Sequence, residues 1–347
     1  MTSAESAASA RPEIEAALLL LGKLGLTPAD LVASSTAGRP VVPTFAEFVP
    51  EIAAAVTAGT LKTYGSYWTK VVELWGDRKI DSPTALELEQ LGERIKAKRT
   101  VRSSDRGGRS AVENYVGAMR CLYRRAVESE LILASQNPAA KIKKPRRLPS
   151  NRRALPDARL QEVTRVAANG GDDPALDALL VRFHTETGAR RAGALAVRPM
   201  DLDREQCLVR LREKGGTEDW QPVSPTLMAH LWDHSVERGA PRNGQLLRYR
   251  NGRPITYRRY DGLWVRVREA LPWAAAQGVS THWLRHTILT WVERNFGPAV
   301  ARAFARHTDK AAEQKSGSTA TYVKADIHEV ARAVAALTGE PHPLENP

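Results

Sequence analysis

Cysteine is nearly missing from this chain, and its scarcity excludes a good deal. Cys121 and Cys207 are the only two in 347 residues, and they lie far apart. They form no metal-binding spacing and no disulfide framework, so a reducing cytoplasm is expected. Long apolar runs are missing as well. The stretch over residues 16–21 (AALLLL) is too short to span a membrane. It follows Glu13 and Glu15 rather than a basic leader, and reads as a short helix, not a signal peptide. There is no glycine-rich phosphate loop, no internal repeat and no low-complexity tract. No cluster of carboxylates suggests a metal-dependent nuclease, and neither a metal nor another cofactor is expected. Acidic residues are outnumbered, 39 against 51 Lys and Arg, leaving a net charge of +12. A chain this basic most often meets a polyanion, and nucleic acid is the first candidate; the ordinary alternative is a merely arginine-rich protein. Hydrophobic residues make up 42% of the chain, enough for packed cores in roughly two domains.

Taken in order, residues 1–43 are rich in small side chains and read as a loose arm with one short helix. Residues 44–140 carry helical spacing. Thr44 can cap a helix with Phe45, Phe48, Val49 and Ile52. A second helix from about residue 60 carries Tyr64, Tyr67, Trp68, Val71, Val72 and Trp75, and a third covers about 86–98. Aromatics at this spacing are more often core than base-stacking platforms. A basic, glycine-containing loop with Arg99 and Arg102 follows. Ser110 and Glu113 then have the spacing of a capping box for a helix that turns Val116, Met119, Leu122, Tyr123 and Val127 inward and Arg120, Arg124 and Arg125 outward.

Residues 141–154 hold seven cations and two prolines, including Lys141, Lys143, Lys144, Arg146 and Arg147. This reads as an extended linker between domains. It is either a solvated spacer or a strap along a phosphate backbone, and the net charge favours the strap. Together with Arg99, Arg102 and Arg124, these cations are the expected DNA contacts. The second domain, 155–347, is expected to be mainly helical with a small antiparallel sheet. Its helices are placed near 157–168, 173–185, 225–238, 257–270, 281–295, 298–306 and 326–337, with strands over 207–211 and 220–223.

The stretch from Thr281 to Thr287 concentrates the chemistry. His282, Arg285 and His286 open a helix at spacings that share one face. A guanidinium fork matches phosphate oxygens, and imidazoles donate hydrogen bonds and move protons near neutral pH. A zinc peptidase helix also has His-x-x-x-His, but it needs Glu directly after the first histidine, where this chain has Trp283. Taken singly, Arg190 and Arg285 could be ion-pair partners, the histidines core residues, Lys214 a solvated turn lysine and Tyr322 a packed surface tyrosine.

In combination and in this order, the residues resemble the tyrosine recombinases, or phage integrases. Thr187-Gly188-Ala189-Arg190 resembles that family's first-arginine box. Lys214, in the turn between the two strands, is similar to its mobile lysine. His282-x-x-Arg285-His286 resembles its second box, Ala305-Arg306-His307 the site of its third histidine, and Thr319 to Val323 the segment carrying its nucleophile. The resemblance implies a helical core-binding domain, a basic linker and an α+β catalytic domain. It implies Tyr322 as the nucleophile, Arg190 and Arg285 clamping the scissile phosphate, Lys214 as general acid, His282 and His307 bonding the phosphate, and His286 in support. It also implies double-stranded DNA as substrate and a homo-tetramer on two DNA sites, in the cytoplasm and at the nucleoid.

The chain departs from the family pattern in three places. Gly193 stands where an acidic residue often follows the first arginine, Ala305-Arg306 stand in place of Leu-Gly, and the interval from His307 to Tyr322 is long. Residues 310–318 in that interval read as an inserted flexible loop. The tail helix has an apolar stripe of Ile327, Val330, Ala331, Val334 and Leu337, which suits packing on its own domain or on a neighbouring protomer. The competing functions are a type IB-like topoisomerase, which shares the chemistry, and a DNA-binding protein without catalysis.

Overall fold

The computed structural model describes residues 11–30, 41–98, 107–146, 152–212, 216, 218–306 and 325–346. The chain divides into two compact units, one ending at Pro149 and one beginning at Ser150. The division falls inside the basic, proline-containing stretch.

The first unit is helical. Helix α1 (Arg11–Lys23) leaves Ile14, Leu18, Leu19 and Leu20 exposed. Helices α2 (Phe45–Ala55), α3 (Ala58–Trp75), α4 (Ala85–Ala97) and α5 (Arg109–Glu128) form the core, and a short α6 (Pro138–Lys141) follows. Reciprocal capping boxes start α2 (Thr44 with Glu47) and α4 (Thr84 with Glu87), satisfying N–H groups that a helix start leaves unpaired. Helix α5 starts differently from expectation. Gly108, in the left-handed region at φ 76°, is its N-cap and makes no side-chain cap bond, so Ser110 lies inside the helix and forms no box with Glu113. Glycine supplies the turn that a capping side chain would otherwise have to hold.

The aromatics of this unit are core. Trp68, Tyr115 and Tyr123 are buried, and their polar ends donate to the carbonyls of Ala118, Leu88 and Ile80 at 3.1, 2.9 and 2.9 Å. The first part of the basic stretch is fastened to this unit. Ile142 is buried, Arg120 donates to the carbonyls of Ala139 and Ile142, and Lys144 pairs with Glu113 at 3.5 Å. Arg120 faces outward as expected, and its guanidinium also holds the chain that leaves α6.

The second unit contains α7 (Asp157–Asn169), α8 (Pro174–Thr187), α9 (Arg191–Leu195), α10 (Pro225–Glu237), α11 (Tyr257–Ala270), α12 (Pro272–Gln277), α13 (Thr281–Phe304) and α14 (Ile327–Thr338). An antiparallel sheet of β1 (Leu202–Asp203), β2 (Leu208–Arg212) and β3 (Glu218–Pro222) lies between α9 and α10 in the sequence. The class is thus mainly α with a small sheet; the two-residue β1 was too short to leave an alternation in the sequence. On β2, Val209 and Leu211 point into the core, while Arg210 and Arg212 join Arg198 around the fully buried Asp201. Opposite them in register, β3 places Trp220 and Glu218.

The two helices expected over 281–306 form one element with a break. Gly297 takes φ 82°, ψ 170°, and Pro298 follows it. Only glycine enters that region without strain, and proline cannot continue the hydrogen-bond ladder behind it. The segment after the break packs Val300, Ala301 and Phe304 with Ile288 and Val292 against Val330, Ala333 and Val334 of α14. The stripe of the tail helix is therefore covered by its own unit in this chain.

Candidate active site

The first-arginine box lies where α8 ends. Gly188 closes the helix in the left-handed region at φ 57°, a position that favours glycine. The chain then becomes extended, and Arg190, half-buried at φ −77°, ψ 153°, is the N-cap of α9.

Three consecutive carbonyls lead to Arg190, and each accepts from a different buried side chain. Thr187 O accepts from Nη1 and Nη2 of Arg306, both at 3.2 Å. Gly188 O accepts from Nη1 of Arg285. Ala189 O accepts from Nδ1 of His184 at 2.9 Å. A carbonyl can only accept, so Nδ1 carries the proton, and Nε2 in turn accepts from the hydroxyl of Tyr260 at 2.9 Å. Burial, with the charges of Arg191 and Arg285, pushes the His184 pKa down to about 4, which keeps that tautomer neutral.

Arg285 is only 4% exposed. Besides Gly188 O, it donates from Nη2 to the Ala305 carbonyl at 2.8 Å, joining the start and the end of α13. Two of the five N–H donors of its guanidinium thus go to backbone. The sequence suggested a side chain that clamps phosphate; its guanidinium also holds the backbone that leads to Arg190.

His282 has an open face to solvent one helical turn before Arg285. Its pKa is lowered, first by partial desolvation and then by the positive charges of Arg152, Arg285, His286 and Arg190. His286 is half-buried, with Nδ1 3.3 Å from Thr290 Oγ1. Arg190, His282, Arg285 and His286 are therefore brought together, and Arg152 joins them. The Leu155 N–H donates to Thr287 Oγ1 at 3.0 Å and ties the chain just after Arg152 to α13.

Lys214, His307 and Tyr322 lie outside the described residues, as do the loop over 310–318 and Arg99, Arg102 and Arg147. Of the other expected DNA contacts, Lys141, Lys143, Lys144, Arg146 and Arg124 are exposed, and Arg124 is 3.6 Å from Glu128. A Cβ on Gly193, the position where an acidic residue was looked for, would stand 3.4 Å from the Arg212 carbonyl. A cavity of about 1110 Å³, lined by Leu160, Leu179, Ile288, Trp291 and Leu337 among others, contains none of the expected site residues.

His184, Tyr260, Arg306 and Arg152 were not singled out from the sequence. Their roles depend on contacts between distant parts of the chain. The one available signal was Arg306 itself, an arginine directly after a helix end where glycine is usual.

No family model matches the chain, and no curated protein matches its sequence. Solved structures do. A lambda integrase of residues 75–356, a dimer bound to a COC′ core site, superposes with a TM-score of 0.59 at 14% identity, over 80% of this chain and 97% of that one. A lambda integrase tetramer bound to a Holliday junction gives 0.59 at 14%, over 90% and 86%. The Tn1549 transposon integrase (residues 82–397) in complex with circular intermediate DNA gives 0.59 at 15%, over 82% and 95%. The XerH site-specific recombinase bound to its difH substrate gives 0.54 at 16%, over 73% and 75%. At these identities the likeness is one of fold, and the fold of this chain is that of the tyrosine recombinases its motifs resemble.

Proposed function

We propose that this chain is a site-specific DNA recombinase that cuts and rejoins DNA through a 3′-phosphotyrosine at Tyr322. The observation that carries the reading is that His282, Arg285 and His286 share one helix and that Arg285 bonds the Gly188 carbonyl two residues before Arg190, which gathers these side chains in one place. This centre is built on a fold shared with integrases and recombinases solved on DNA. Charge of this kind suits a phosphodiester whose non-bridging oxygens gain negative charge as the fifth oxygen approaches phosphorus.

The step balances simply. Tyr322 gives its phenol proton to His286, its oxygen bonds to phosphorus and the bond to the 5′-oxygen breaks. That oxygen takes a proton from Lys214, and rejoining reverses the exchange. Arg190 and His282 contact the phosphate, with His307 as the second phosphate-bonding histidine and His286 supporting the tyrosine. Arg285 clamps the scissile phosphate together with Arg190 and also fixes the turn before it. Lys141, Lys143, Lys144 and Arg146, with Arg124 and with Arg99, Arg102 and Arg147, carry duplex DNA along the first unit and the linker. Residues 44–140 form the core-binding domain and 155–347 the catalytic domain. Four copies act on two DNA sites, a reading supported by the lambda integrase tetramer of the same fold.

The test is DNA with a bridging 5′-phosphorothiolate at the cleavage site, mixed with wild type and Tyr322→Phe. The thiol leaves without being able to rejoin, so wild type should accumulate a covalent protein–DNA adduct and Tyr322→Phe none. An adduct formed equally by both proteins overturns the assignment. Relaxation of any supercoiled plasmid by a monomer, with no site preference, would favour the topoisomerase reading.

A further inference from the structure

We propose that Arg306 is a positioning residue for Arg190, acting through the Thr187 carbonyl; this rests on the strand-transfer reading above. Helix α13 ends at Phe304 with Ala305 as its C-cap, so Arg306 occupies the next position, in the left-handed region at φ 52°. Glycine is the usual residue there, and any other L-residue is strained by about 1–2 kcal/mol. An arginine in this conformation needs a compensating set of contacts, and it has one. The guanidinium, in a residue only 5% exposed, donates to Thr187 O twice, to Phe304 O at 2.9 Å and to Oε1 of Gln221, which is itself 1% exposed.

Those three acceptors belong to three parts of the site. Thr187 precedes the turn into Arg190. Gln221 is on β3, the strand that follows Lys214 in the sequence. Phe304 ends α13, and His307 is the next residue after Arg306 in the sequence. One buried cation therefore ties together the turn before the first arginine, strand β3 and the end of α13. Since Arg285 and His184 hold the next two carbonyls, removing Arg306 frees the first of three peptide groups in a row and lets the turn rotate from its helix end. The effect falls on where the Arg190 guanidinium stands relative to phosphate, and not on how the chain grips DNA at a distance.

The experiment uses the full-length chain with the bridging phosphorothiolate DNA. Arg306→Gly restores the residue that the backbone conformation prefers and deletes the guanidinium. Arg306→Lys keeps the charge but cannot reach all three acceptors at once. For both variants the cleavage rate at saturating protein should fall about 10- to 100-fold, the scale of a displaced reacting group, while DNA affinity stays within about threefold. Millimolar guanidinium ion, far below denaturing concentration, should recover part of the rate of Arg306→Gly and leave wild type unchanged. Amide hydrogen exchange at Gly188 and Ala189 should speed up about tenfold or more in Arg306→Gly. Wild-type cleavage rates in both variants, or exchange unchanged at those two amides, overturn the proposal. If wild type itself forms no adduct, the strand-transfer reading fails, and exchange at Gly188 and Ala189 still decides whether Arg306 holds the turn.

Discussion

Arg285 and Ala305 are twenty residues apart and joined by one hydrogen bond, Nη2 to the carbonyl at 2.8 Å, inside the same broken helix. With the donation to Gly188 O, the bond makes this arginine as much a structural member as a charge. Arg285→Ala leaves two buried carbonyls without their donor. It should destabilise the second unit by about 2–4 kcal/mol, in the range for breaking buried charged hydrogen bonds. Denaturant unfolding of the full chain followed at the second unit measures it, and a change under about 0.5 kcal/mol would reduce Arg285 to a phosphate contact.

His184 makes a pH prediction. Its folded pKa, about 4, lies below the ordinary histidine value near 6.5, and His234 is lowered to about 4 by burial and then by Arg238. The folded state thus binds fewer protons than the unfolded one. Stability from this source is present above about pH 6.5 and is lost as pH falls toward 4, by roughly 3 kcal/mol per histidine at full shift. His184→Asn keeps a donor near Ala189 O without a titrating ring, and should remove roughly half of that acid-side loss. Unfolding free energies at pH 7 and pH 4.5 would check it; an undiminished loss in the variant would place the titration elsewhere.

Much of this fold was legible in the sequence, and the reasons are local. Thr44 and Glu47, or Thr84 and Glu87, declare a helix start within four residues. Gly297-Pro298 declares a break. Trp68, Tyr115 and Tyr123 fall at helical spacing and go inside. The pairing of His282, Arg285 and His286 was readable because a helix fixes which residues share a face. What could not be read was contact between distant segments. The same spacing that brought Arg285 to the site does not say that its guanidinium also bonds the backbone at Gly188. His184 and Tyr260 meet across 76 residues, and no pattern along either helix encodes that meeting. Ser110 and Glu113 had the right spacing for a cap, but Gly108 had already started the helix.

Arg152 tests the electrostatics of the centre directly. After desolvation, its charge lowers the His282 pKa more than that of any other neighbouring cation. Arg152→Ala should therefore raise that pKa, because one cation less opposes protonation of the ring. The shift is read by NMR titration of the His282 ring protons. Arg159→Ala serves as the control, since Arg159 is engaged with Glu162 and Trp273 and is not among the charges acting on His282. An unmoved or lowered pKa in Arg152→Ala would mean that the linker end does not reach the site.

Asp201 holds the sheet from below. It accepts from Arg198, Arg210 and Arg212, and these guanidiniums, despite its burial, keep its carboxyl well below the usual carboxylate range. The arginine side chains retain 23 to 30% exposure, so water screens part of what they gain. Asp201→Asn should destabilise by about 2–4 kcal/mol, and the loss should be the same at pH 5 and pH 8, because the carboxyl is ionised throughout that window. Unfolding at the two pH values checks both statements.

The tail helix packs on its own unit and is fastened at both ends. A capping box of Asp326 and Glu329 starts it, with bonds at 2.8 and 2.9 Å, and Gly339 ends it at φ 70°. Just beyond, Glu340 accepts from Arg182 at 2.7 Å and from the Thr226 N–H at 3.0 Å, fastening the chain after the helix to α8 and α10. Val334 is fully buried between these points. Val334→Ala removes two methyl groups from a packed site and should destabilise by about 1–2 kcal/mol. If the helix stays on its own unit, that loss is independent of protein concentration. If copies exchange tails, the folded state is linked to assembly, and the melting temperature of both wild type and Val334→Ala rises with concentration. Melts across a hundredfold range of concentration without DNA separate the two. A flat response, with full adduct formation by a chain truncated before Ile327, would leave the tail no part in pairing DNA sites.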